Sequence, residues 1–323
     1  MPRYLITGGA GFIGANLAHA LVARGESVRI LDDFSTGRVK NLDGIEDRIE
    51  ILRGDIRDPA VVTQAVQGTE IILHQAALNS NPRSIKEPRP TNAVNVGGTL
   101  LLLEAARAAG VRRVVYASSS SVYGDTPGLS AAPNAAQAGL PKTEEMPLSP
   151  TAPYGVSKLA AEYYCRVFTQ VYGLETVSLR YFNVFGPRQH PDSEYAAVIP
   201  RFLRLMLAGE RPIIFGDGEQ SRDFTAVENV VAANLLAAES AQGIGEVFNI
   251  ACGKTSTLNQ LAGWLNQLLG TDLPPIYEPP RPADIRHSYA SIRKAEALLG
   301  YRPTLDVQEG LRRTVEWFKR HEC

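Results

Sequence analysis

The sequence predicts an α/β protein in which a doubly wound parallel sheet is joined to a smaller region of mixed α/β structure. Short apolar runs alternate with helical patterns through the first half of the chain, which is typical of βαβ units. A glycine-rich turn separates the first of these runs from the first helix. After Arg180 the alternation ends, and proline and glycine become more frequent.

Six segments have the apolar, β-branched composition of strands that helices cover on both faces. They lie near residues 5, 29, 52, 73, 115 and 178, in the runs RYLIT, SVRIL, IEILRGD, EIILHQAA, RRVVYASS and ETVSLRY. Helices are expected over 12–24, 92–109 and 154–172, and right-handed crossovers between parallel strands then give a doubly wound sheet. We expect residues 1–180 to form the sheet domain, with a return of the chain around 224–252. Residues 181–323 should form most of the smaller region.

Composition and charge narrow the classes of function. The 323 residues carry 33 Lys+Arg against 34 Asp+Glu, so neither nucleic acid nor a membrane surface is an expected partner. The start MPRYLITGGAGFIG lacks the pattern of a signal peptide, and no apolar run reaches the roughly 18 residues of a membrane span, so we expect a cytoplasmic protein. The cysteines Cys165, Cys252 and Cys323 lack metal-ligand or disulfide spacing, and no metal is predicted.

The stretch 124–153 is rich in Pro, Ala, Gly and Ser, and it predicts a long surface loop beside a site.

The segment YLITGGAGFIG, residues 4–14, places a strand, a glycine turn and a helix start in that order. Gly8 allows the tight turn, Gly11 lets the backbone approach a pyrophosphate, and Gly14 lets the helix pack close to the sheet. The helix N-terminus adds amide donors and a positive dipole. In this context the pattern predicts a dinucleotide site.

An acidic residue ends the second strand, as such a site requires. Asp32 would accept hydrogen bonds from the adenosine ribose hydroxyls and repel a 2′-phosphate, and Asp33 reinforces that charge. The sequence therefore favours NAD over NADP, although Arg38 could meet a phosphate. Asp55, after the third strand, could reach the adenine amino group or serve as a helix N-cap ahead of Pro59.

Tyr154 and Lys158 lie four residues apart in YGVSK, on one face of a helix that begins after Pro153. A phenol with its ordinary pKa near ~10 is a poor base at neutral pH, but a neighbouring cation favours the ionised form. Four serines, 118–121, follow the strand RRVVYA at the carboxyl edge of the sheet, where doubly wound folds bind ligands. One serine hydroxyl there can bridge a substrate oxygen and the phenol. The glycine turn, the serine run and the pair of Tyr154 and Lys158 together predict an acid/base site beside a nicotinamide.

The chain resembles the extended short-chain dehydrogenase/reductases, and more narrowly the nucleotide-sugar 4-epimerases, along nearly its whole length. The motifs that carry the resemblance are TGGAGFIG, HQAA (74–77), SSSSVYG (118–124), YGVSK (154–158), LRYFNVFGPRQ (179–189), GDGEQSRDF (216–224) and RPAD (281–284). The resemblance implies a Rossmann domain that binds NAD and a C-terminal region that binds a nucleotide sugar. It also implies that Ser119 supplies the catalytic hydroxyl, Tyr154 the acid/base group, and Lys158 the partner that also holds the nicotinamide ribose.

The resemblance implies further site residues, position by position. Those for NAD are Gly8, Gly11, Phe12, Ile13, Gly14, Asp32, Asp33, Asp55, Ile56, Gln75, Ala76, Ala77, Asn95, Tyr154 and Lys158, with His74 opening its motif. Those for the sugar nucleotide are Ser80, Ser119, Ser120, Tyr154, Asn183, Val198, Phe215, Arg222, Arg281, Asp284 and Ser288. Within the second set, Asn183, Arg222 and Arg281 would contact the diphosphate. Phe215 would pack on uracil, and Asp284 would bind a ribose.

The implied reaction is the 4-epimerisation of a UDP-hexose. Tyr154 would remove the 4-hydroxyl proton while NAD takes hydride from C4, and the transient 4-keto sugar would turn over before the hydride returns. Arginine forks suit this, because they anchor the diphosphate and leave the hexose able to turn. The segments YAAVIP (195–200) and PRS (82–84) resemble enzymes that act on UDP-N-acetylglucosamine, and a small Ser288 beside the sugar would admit a 2-acetamido group. We expect UDP-glucose/UDP-galactose, the N-acetylated pair, or both as substrates.

Three alternatives stay open. Arg188 and His190 lie in a loop that could face the sugar and bind a 6-carboxylate, which would indicate a UDP-glucuronate 4-epimerase. A nucleotide-sugar dehydratase or decarboxylase is disfavoured, because Ser120 and Ser121 stand where such enzymes carry acidic groups. A non-catalytic NAD-binding regulator is disfavoured because the three catalytic residues are intact.

Two of the predicted helices carry apolar faces that could join subunits. Residues 100–103 form one face, and Tyr163, Val167 and Val171 form the other. In the family such helices from two subunits form a four-helix interface, so the resemblance implies a homodimer. Burial of both faces within one subunit is the alternative.

Overall fold

The structure, a computed structural model, describes residues 2–124, 140–191, 197–280 and 286–321. The strands are β1 (Tyr4–Thr7), β2 (Val28–Asp32), β3 (Ile49–Arg53), β4 (Ile71–His74), β5 (Arg113–Ser119), β6 (Glu175–Tyr181), β7 (Val184–Phe185), β8 (Ile213–Phe215), β9 (Ser221–Arg222), β10 (Thr225–Ala226), β11 (Val247–Ile250), β12 (Ser256–Thr257), β13 (Ile276–Glu278) and β14 (His287–Ser288). The α-helices are α1 (Phe12–Ala23), α2 (Pro59–Val66), α3 (Asn81–Lys86), α4 (Pro88–Asn92), α5 (Thr99–Ala108), α6 (Pro153–Tyr172), α7 (Val198–Leu207), α8 (Val227–Glu239), α9 (Leu258–Leu269), α10 (Arg293–Leu299) and α11 (Val307–His321). Turns of 3-10 helix lie at Val39–Leu42, Glu46–Arg48 and Ser120–Val122, and a π-helical turn spans Ala93–Gly98.

The central sheet has the strand order β11-β6-β5-β4-β1-β2-β3, and all its neighbouring pairs are parallel. The order reverses at β1, which pairs with β2 on one side and β4 on the other. A crevice at such a reversal is where open α/β sheets bind ligands. The strand order confirms the predicted doubly wound sheet. The late strand β11 joins it beside β6, while the domain bounds expected from the sequence stay a prediction.

Helices cover both faces of the sheet, which is why its strands are almost continuously apolar. On one face α1 and α8 pack together, with Leu17 and Phe248 among the buried side chains. On the other face α2, α5 and α6 pack together, with Leu5 and Tyr116 in the core. Burial on both sides fixes the carboxyl ends of the strands, and the loops that follow them, along one edge.

The helix expected over 92–109 is interrupted. The Thr99 hydroxyl donates a hydrogen bond to the Asn95 carbonyl oxygen at 2.6 Å, in competition with the helical ladder. The chain forms the π turn here before continuing as α5. A Cβ at Gly98 would come within 2.7 Å of Ile56, so only glycine allows this turn to lie so close to the loop after β3. The expected helices 12–24 and 154–172 match α1 and α6 to within a residue at each end.

The smaller region packs on the carboxyl side of the sheet around a core of its own. Its helices α7, α9 and α11 enclose Phe202, Leu261 and Leu311, all completely buried. The strand β9 pairs with β12 and with β14, and β8 pairs with β13. Within the described ranges, no helix has both the length and the apolar character needed to cross a membrane.

Candidate active site

A cavity of about 620 Å³ runs along the carboxyl edge of the sheet. Its wall comes from the ends of β1 to β6 and from the start of α6. The predicted cofactor residues that line it are Gly8, Gly11, Phe12, Ile13, Gly14, Asp32, Asp33, Asp55, Ile56, Gln75, Ala76, Ala77, Tyr154 and Lys158. Chain segments far apart in sequence thus converge on one site.

The glycine turn brings backbone to the cavity where side chains would not fit. Gly8 has a φ of +68°, and a Cβ there would lie 2.7 Å from the Ala76 backbone nitrogen. A Cβ at Gly14 would lie 2.1 Å from the Gly8 carbonyl oxygen, so α1 can begin directly against the turn only because this residue is glycine. The resulting cradle at a helix N-terminus fits a pyrophosphate.

The Asp32 carboxylate is fixed before any ligand binds. One oxygen accepts a hydrogen bond from the Ala10 N–H and the other from the Phe34 N–H, both at 2.8 Å. Burial raises the pKa of Asp32, while these two hydrogen bonds oppose that rise. A Cβ at Gly37 would lie within 2.7 Å of the same carboxylate. The backbone after β2 therefore folds tightly around the acid that is expected to select NAD.

The loop after β3 gives a mixed result. Asp55 and Ile56 line the cavity, but the Asp55 carboxylate is held by its neighbour Arg57, whose Nε donates to it at 2.9 Å. The alternative that Asp55 is an N-cap is wrong, because Asp58 caps α2 by accepting the Ala60 N–H at 2.9 Å. Asp58 stands directly before the proline at the first helical position, which is the usual place for a cap.

Tyr154, at the start of α6, lies close to Ser119, the last residue of β5. Burial raises the pKa of the Tyr154 phenol, and the nearby Ser119 side chain acts to lower it. Ser120 and Ser121 begin a 3-10 turn, and the Ser121 N–H donates to the Ser119 hydroxyl at 3.1 Å, which fixes the position of that oxygen.

Lys158 is 3% exposed, one helical turn along α6 from Tyr154. Its Nζ donates a hydrogen bond to the Ala117 carbonyl oxygen at 2.7 Å and lies 6.0 Å from the centroid of the Tyr154 ring. Burial lowers the pKa of Lys158 to about 7, while the Glu162 carboxylate acts to raise it. The ammonium is therefore poised between its charged and neutral forms near neutral pH.

Three residues expected to contact ligands directly do not line this cavity and form hydrogen bonds to protein groups instead. The Asn95 side chain accepts the Leu78 N–H at 2.8 Å and donates to the Ser157 hydroxyl at 3.0 Å. Ser80 is the N-cap of α3 and accepts the Arg83 N–H at 3.1 Å. His74, completely buried, bridges two threonines rather than lining the cavity.

The hydrogen-bond chain through His74 defines its tautomer. The Thr99 hydroxyl proton goes to the Asn95 carbonyl, so His74 Nε2 must donate to Thr99 Oγ1, at 2.8 Å. His74 Nδ1 then accepts from the Thr7 hydroxyl at 2.6 Å. Burial lowers the pKa of His74 to about 3, so the ring is neutral. Its two hydrogen bonds connect β4 to β1 and to α5.

Arg188 is held by hydrogen bonds to protein groups. At a φ of +70°, it donates to the Asn41 carbonyl at 3.2 Å and to the Asn16 side chain at 3.1 Å. It lines the first cavity, and its proposed contact with a sugar carboxylate stays a prediction. His190 also lines this cavity.

Phe215 lies in a second cavity, of about 670 Å³, in the smaller region. Gly216, Asp217, Gln220, Tyr277, Glu278, Pro280 and Arg286 also line it. Ser288 is 9% exposed on β14, whose register pairs it with Arg222 on β9. Val198 is the first residue of α7, and Asn183 donates to the Asp223 carbonyl at 3.2 Å. The predicted Arg281 and Asp284, and residues 192–196, lie outside the described residues.

Several residues that line the first cavity were not predicted from the sequence to be site residues. They are Leu31, Ser35, Thr36, Gly37, Asn41, Gly54, Leu78, Asn79, Arg83, Val94, Ala117, Tyr181, Gln189 and Ala197. The Asn41 side chain donates to the Ala10 carbonyl at 2.9 Å and ties the loop after β2 to the glycine turn. The run STG at 35–37, which follows Asp32, Asp33 and Phe34, was the available signal.

The chain matches the model of the NAD dependent epimerase/dehydratase family over residues 4–251. It is 39% identical over 321 residues to the UDP-glucose 4-epimerase of Mycolicibacterium smegmatis, with 98% of each chain covered.

Two solved structures are similar throughout. The UDP-N-acetylglucosamine 4-epimerase of Methanobrevibacter ruminantium, in complex with UDP-N-acetylmuramic acid, has a TM-score of 0.91 and 38% identity, covering 99% of this chain and 98% of the other. The UDP-glucose 4-epimerase of Thermus thermophilus, in complex with NAD, has a TM-score of 0.86 and 35% identity, covering 99% of each chain. These likenesses confirm the predicted resemblance, fold class and NAD cofactor. The chain belongs to the NAD dependent epimerase/dehydratase family.

Proposed function

We propose that this chain catalyses the NAD-dependent 4-epimerisation of a UDP-hexose, either UDP-glucose/UDP-galactose, UDP-GlcNAc/UDP-GalNAc, or both. The observation that carries the proposal is that Tyr154 and Lys158, one helical turn apart on α6, line the same cavity as the glycine turn, with Ser119 close to the Tyr154 phenol. The relatives named above, which are 4-epimerases for UDP-sugars, support the same reaction.

We assign NAD binding to residues 1–180 together with 224–252, and most of the UDP-sugar site to the remainder. The cradle between Gly8 and Gly14 suits the pyrophosphate, and Asp32 suits the adenosine ribose. When bound, NAD supplies an acceptor that takes a hydride and returns it, so no net oxidation results. Tyr154 and Lys158 line the same cavity as Asp32, so one dinucleotide could reach both.

Tyr154 removes the proton of the sugar 4-hydroxyl and later returns it to the oxygen of the 4-keto group, after the hexose has turned its other face toward the nicotinamide site. Ser119 bridges the sugar oxygen and the phenol, and its position is fixed by the Ser121 N–H. Lys158 supplies the positive charge that favours ionised Tyr154. General acid/base catalysis of this kind typically accelerates a reaction by about 10² to 10⁴.

The uridine diphosphate anchors the substrate while the hexose turns. We place uracil against Phe215 in the second cavity, with Asn183, Arg222 and Arg281 at the diphosphate and Asp284 at the ribose. Val198, Ser80, Ser120 and Ser288 then lie around the hexose. A serine at 288 leaves room for a 2-acetamido group, which supports use of N-acetylated substrates.

A second candidate is a UDP-glucuronate 4-epimerase. The observation that favours it is the presence of His190 and Arg83 in the wall of the cavity that holds Tyr154. Either basic side chain could bind a 6-carboxylate. The candidate is weakened by the hydrogen bonds that hold the Arg188 guanidinium to Asn41 and Asn16.

We propose that the protein acts in the cytoplasm as a homodimer built on α6. Val156, Tyr163, Val167 and Val171 on α6 are 53%, 55%, 43% and 66% exposed, which is unusual for one face of an otherwise packed helix. The expected contribution of residues 100–103 is smaller than the sequence implied, because Leu102 and Leu103 are completely buried within the subunit.

The decisive experiment is proton NMR of the purified protein incubated separately with UDP-glucose, UDP-N-acetylglucosamine and UDP-glucuronate. The anomeric signals of the 4-epimer report the reaction directly. We expect epimers from UDP-glucose, UDP-N-acetylglucosamine or both. An epimer from UDP-glucuronate alone would establish the second candidate, and no epimer from any of the three with NAD present would contradict 4-epimerisation of these sugars.

A further inference from the structure

The Lys158 ammonium is buried where few groups stabilise its positive charge. It is 3% exposed, and its Nζ donates to the Ala117 carbonyl at 2.7 Å. An ammonium has three donors and strongly prefers water, so burying it with a single backbone acceptor favours the neutral amine. Something else around it must support the charged form that Tyr154 needs.

The titratable groups that face Lys158 do not supply an unpaired negative charge. On α6, the Glu162 carboxylate already accepts hydrogen bonds from Arg180 at 2.8 and 2.9 Å and from the Ser118 hydroxyl. Cys165, also on α6, stays a neutral thiol because burial raises its pKa to about 12. From β4, His74 is a neutral imidazole hydrogen-bonded at both nitrogens.

The remaining neighbour is an aromatic ring. Tyr116 on β5 lies with its ring centroid 5.0 Å from the Lys158 Nζ, closer than the 6.0 Å to the Tyr154 ring. The face of an aromatic ring carries a negative quadrupole that attracts a cation within about 6 Å, most strongly where water is excluded. Tyr116 is 1% exposed and packs against His74 at 5.6 Å between ring centroids, so its ring cannot move away.

The Tyr116 hydroxyl adds a second observation. Among the described residues it has no hydrogen-bond partner, although it is completely enclosed. A buried hydroxyl without a partner is unfavourable, so the hydroxyl does not explain why a tyrosine stands here. The contribution of this side chain lies in its ring.

We propose that Tyr116 is a positioning residue for the reaction, whose ring face keeps the Lys158 ammonium charged and in place behind Tyr154, while its hydroxyl has no part. The proposal rests on the proposed function, since Lys158 matters only if Tyr154 is the acid/base group. It also makes a claim about Lys158 that is measurable without turnover.

The test is a direct titration of Lys158 by NMR of the full-length protein labelled with ¹³C at the lysine ε-carbon, with and without NAD. The signal of Lys158 is assigned as the one lost in Lys158→Met. The variants are Tyr116→Phe, Tyr116→Leu, and a series in which position 116 carries increasingly fluorinated phenylalanine. Fluorine weakens the quadrupole while leaving the shape of the ring nearly unchanged, so this series remains informative if Tyr116→Leu fails to fold.

We expect Tyr116→Phe to keep the titration midpoint and the pH dependence of kcat/KM. Tyr116→Leu should lower the midpoint by about one pH unit, and fluorination should lower it stepwise. The alkaline limb of kcat/KM should move to lower pH with it, while NAD binding at low pH is retained. An unchanged midpoint across the fluorinated series, or a midpoint that falls equally in Tyr116→Phe, would overturn the proposal. A wild type that titrates as expected yet epimerises no UDP-sugar would contradict only the proposed function.

Discussion

The buried Ser84 hydroxyl accepts a hydrogen bond from the backbone N–H of Tyr154 at 3.0 Å. The first N–H groups of a helix have no partner within it, and Ala152, the N-cap residue of α6, offers no side-chain acceptor. A residue of α3 therefore caps the helix that carries Tyr154. Ser84 also donates to the Asn81 carbonyl at 2.8 Å, which fixes the orientation of its hydroxyl.

Replacing Ser84 by alanine should loosen the start of α6. We expect kcat to fall several-fold with little change in KM, and the free energy of unfolding to fall by about 1 to 2 kcal/mol, because a buried N–H loses its acceptor. Steady-state kinetics and thermal unfolding check this. The control is Thr91→Val, which removes another buried hydroxyl nearby. That hydroxyl donates to the Glu87 carbonyl at 3.0 Å, and its loss should lower the stability without changing the kinetics. Equal kinetic losses in both variants would refute a specific role for Ser84.

Tyr154→Phe removes only the hydroxyl that transfers the proton. Turnover should fall by about 10² to 10⁴ or more, while the fold and NAD binding are kept. Epimer formation by NMR, circular dichroism and calorimetric titration of NAD measure the three quantities. Activity near the wild-type level in this variant would exclude Tyr154 as the acid/base group.

Asp32→Asn tests the choice of cofactor. The amide cannot accept hydrogen bonds at both positions that now receive the Ala10 and Phe34 N–H groups, and it no longer repels a 2′-phosphate. We expect the affinity for NAD to fall about tenfold or more. The preference for NAD over NADP should become smaller, and titrations of both cofactors measure this. The control is Asp33→Asn, since the Asp33 carboxylate accepts the Ser35 N–H at 2.9 Å instead. This substitution should lower the affinity for NAD less than Asp32→Asn does. The reverse ranking would shift the assignment to Asp33.

Ser288→Tyr should reduce kcat/KM for UDP-N-acetylglucosamine by about 10- to 200-fold relative to UDP-galactose, because a change of pocket volume typically alters selectivity by that much. The two rates are measured on the same preparation, which makes UDP-galactose the internal reference. Ser288→Ala controls for loss of the hydroxyl and should keep both activities. If the tyrosine variant loses both substrates equally, Ser288 is not a gate.

Val167→Glu places a charge in the exposed apolar face of α6. If that face joins two subunits, light scattering after gel filtration should show the mass falling from dimer to monomer, because an unpaired charge in an apolar interface is costly to desolvate. Val39→Glu, at a side chain that is 65% exposed away from α6, is the matched control and should leave the mass unchanged. A dimer that survives the α6 substitution would place the interface elsewhere.

Local patterns were enough to predict the dinucleotide half of the site. The strand, glycine turn and helix around Gly8 and Gly14, the acid at Asp32, and the four-residue spacing of Tyr154 and Lys158 each follow from short-range geometry. Since parallel strands end at one edge of the sheet, the sequence also predicted that Ser119 and Tyr154 would converge. The helix over 92–109 was predicted as continuous, because periodicity cannot register a threonine side chain competing for a backbone carbonyl.

Which groups stand behind these residues depended on packing between distant segments. Ser84 accepts the N–H of Tyr154, 70 residues later in the chain. Arg188 donates to Asn16 on α1, and the Tyr116 ring lies under Lys158. Residue spacing cannot predict these contacts, because they form only when the helices pack on the sheet. The sequence by itself thus determined the fold class and the cofactor, and it predicted the residues that we propose react. The tertiary structure decided which side chains hold them, since burial and hydrogen-bond partners exist only once the chain has folded.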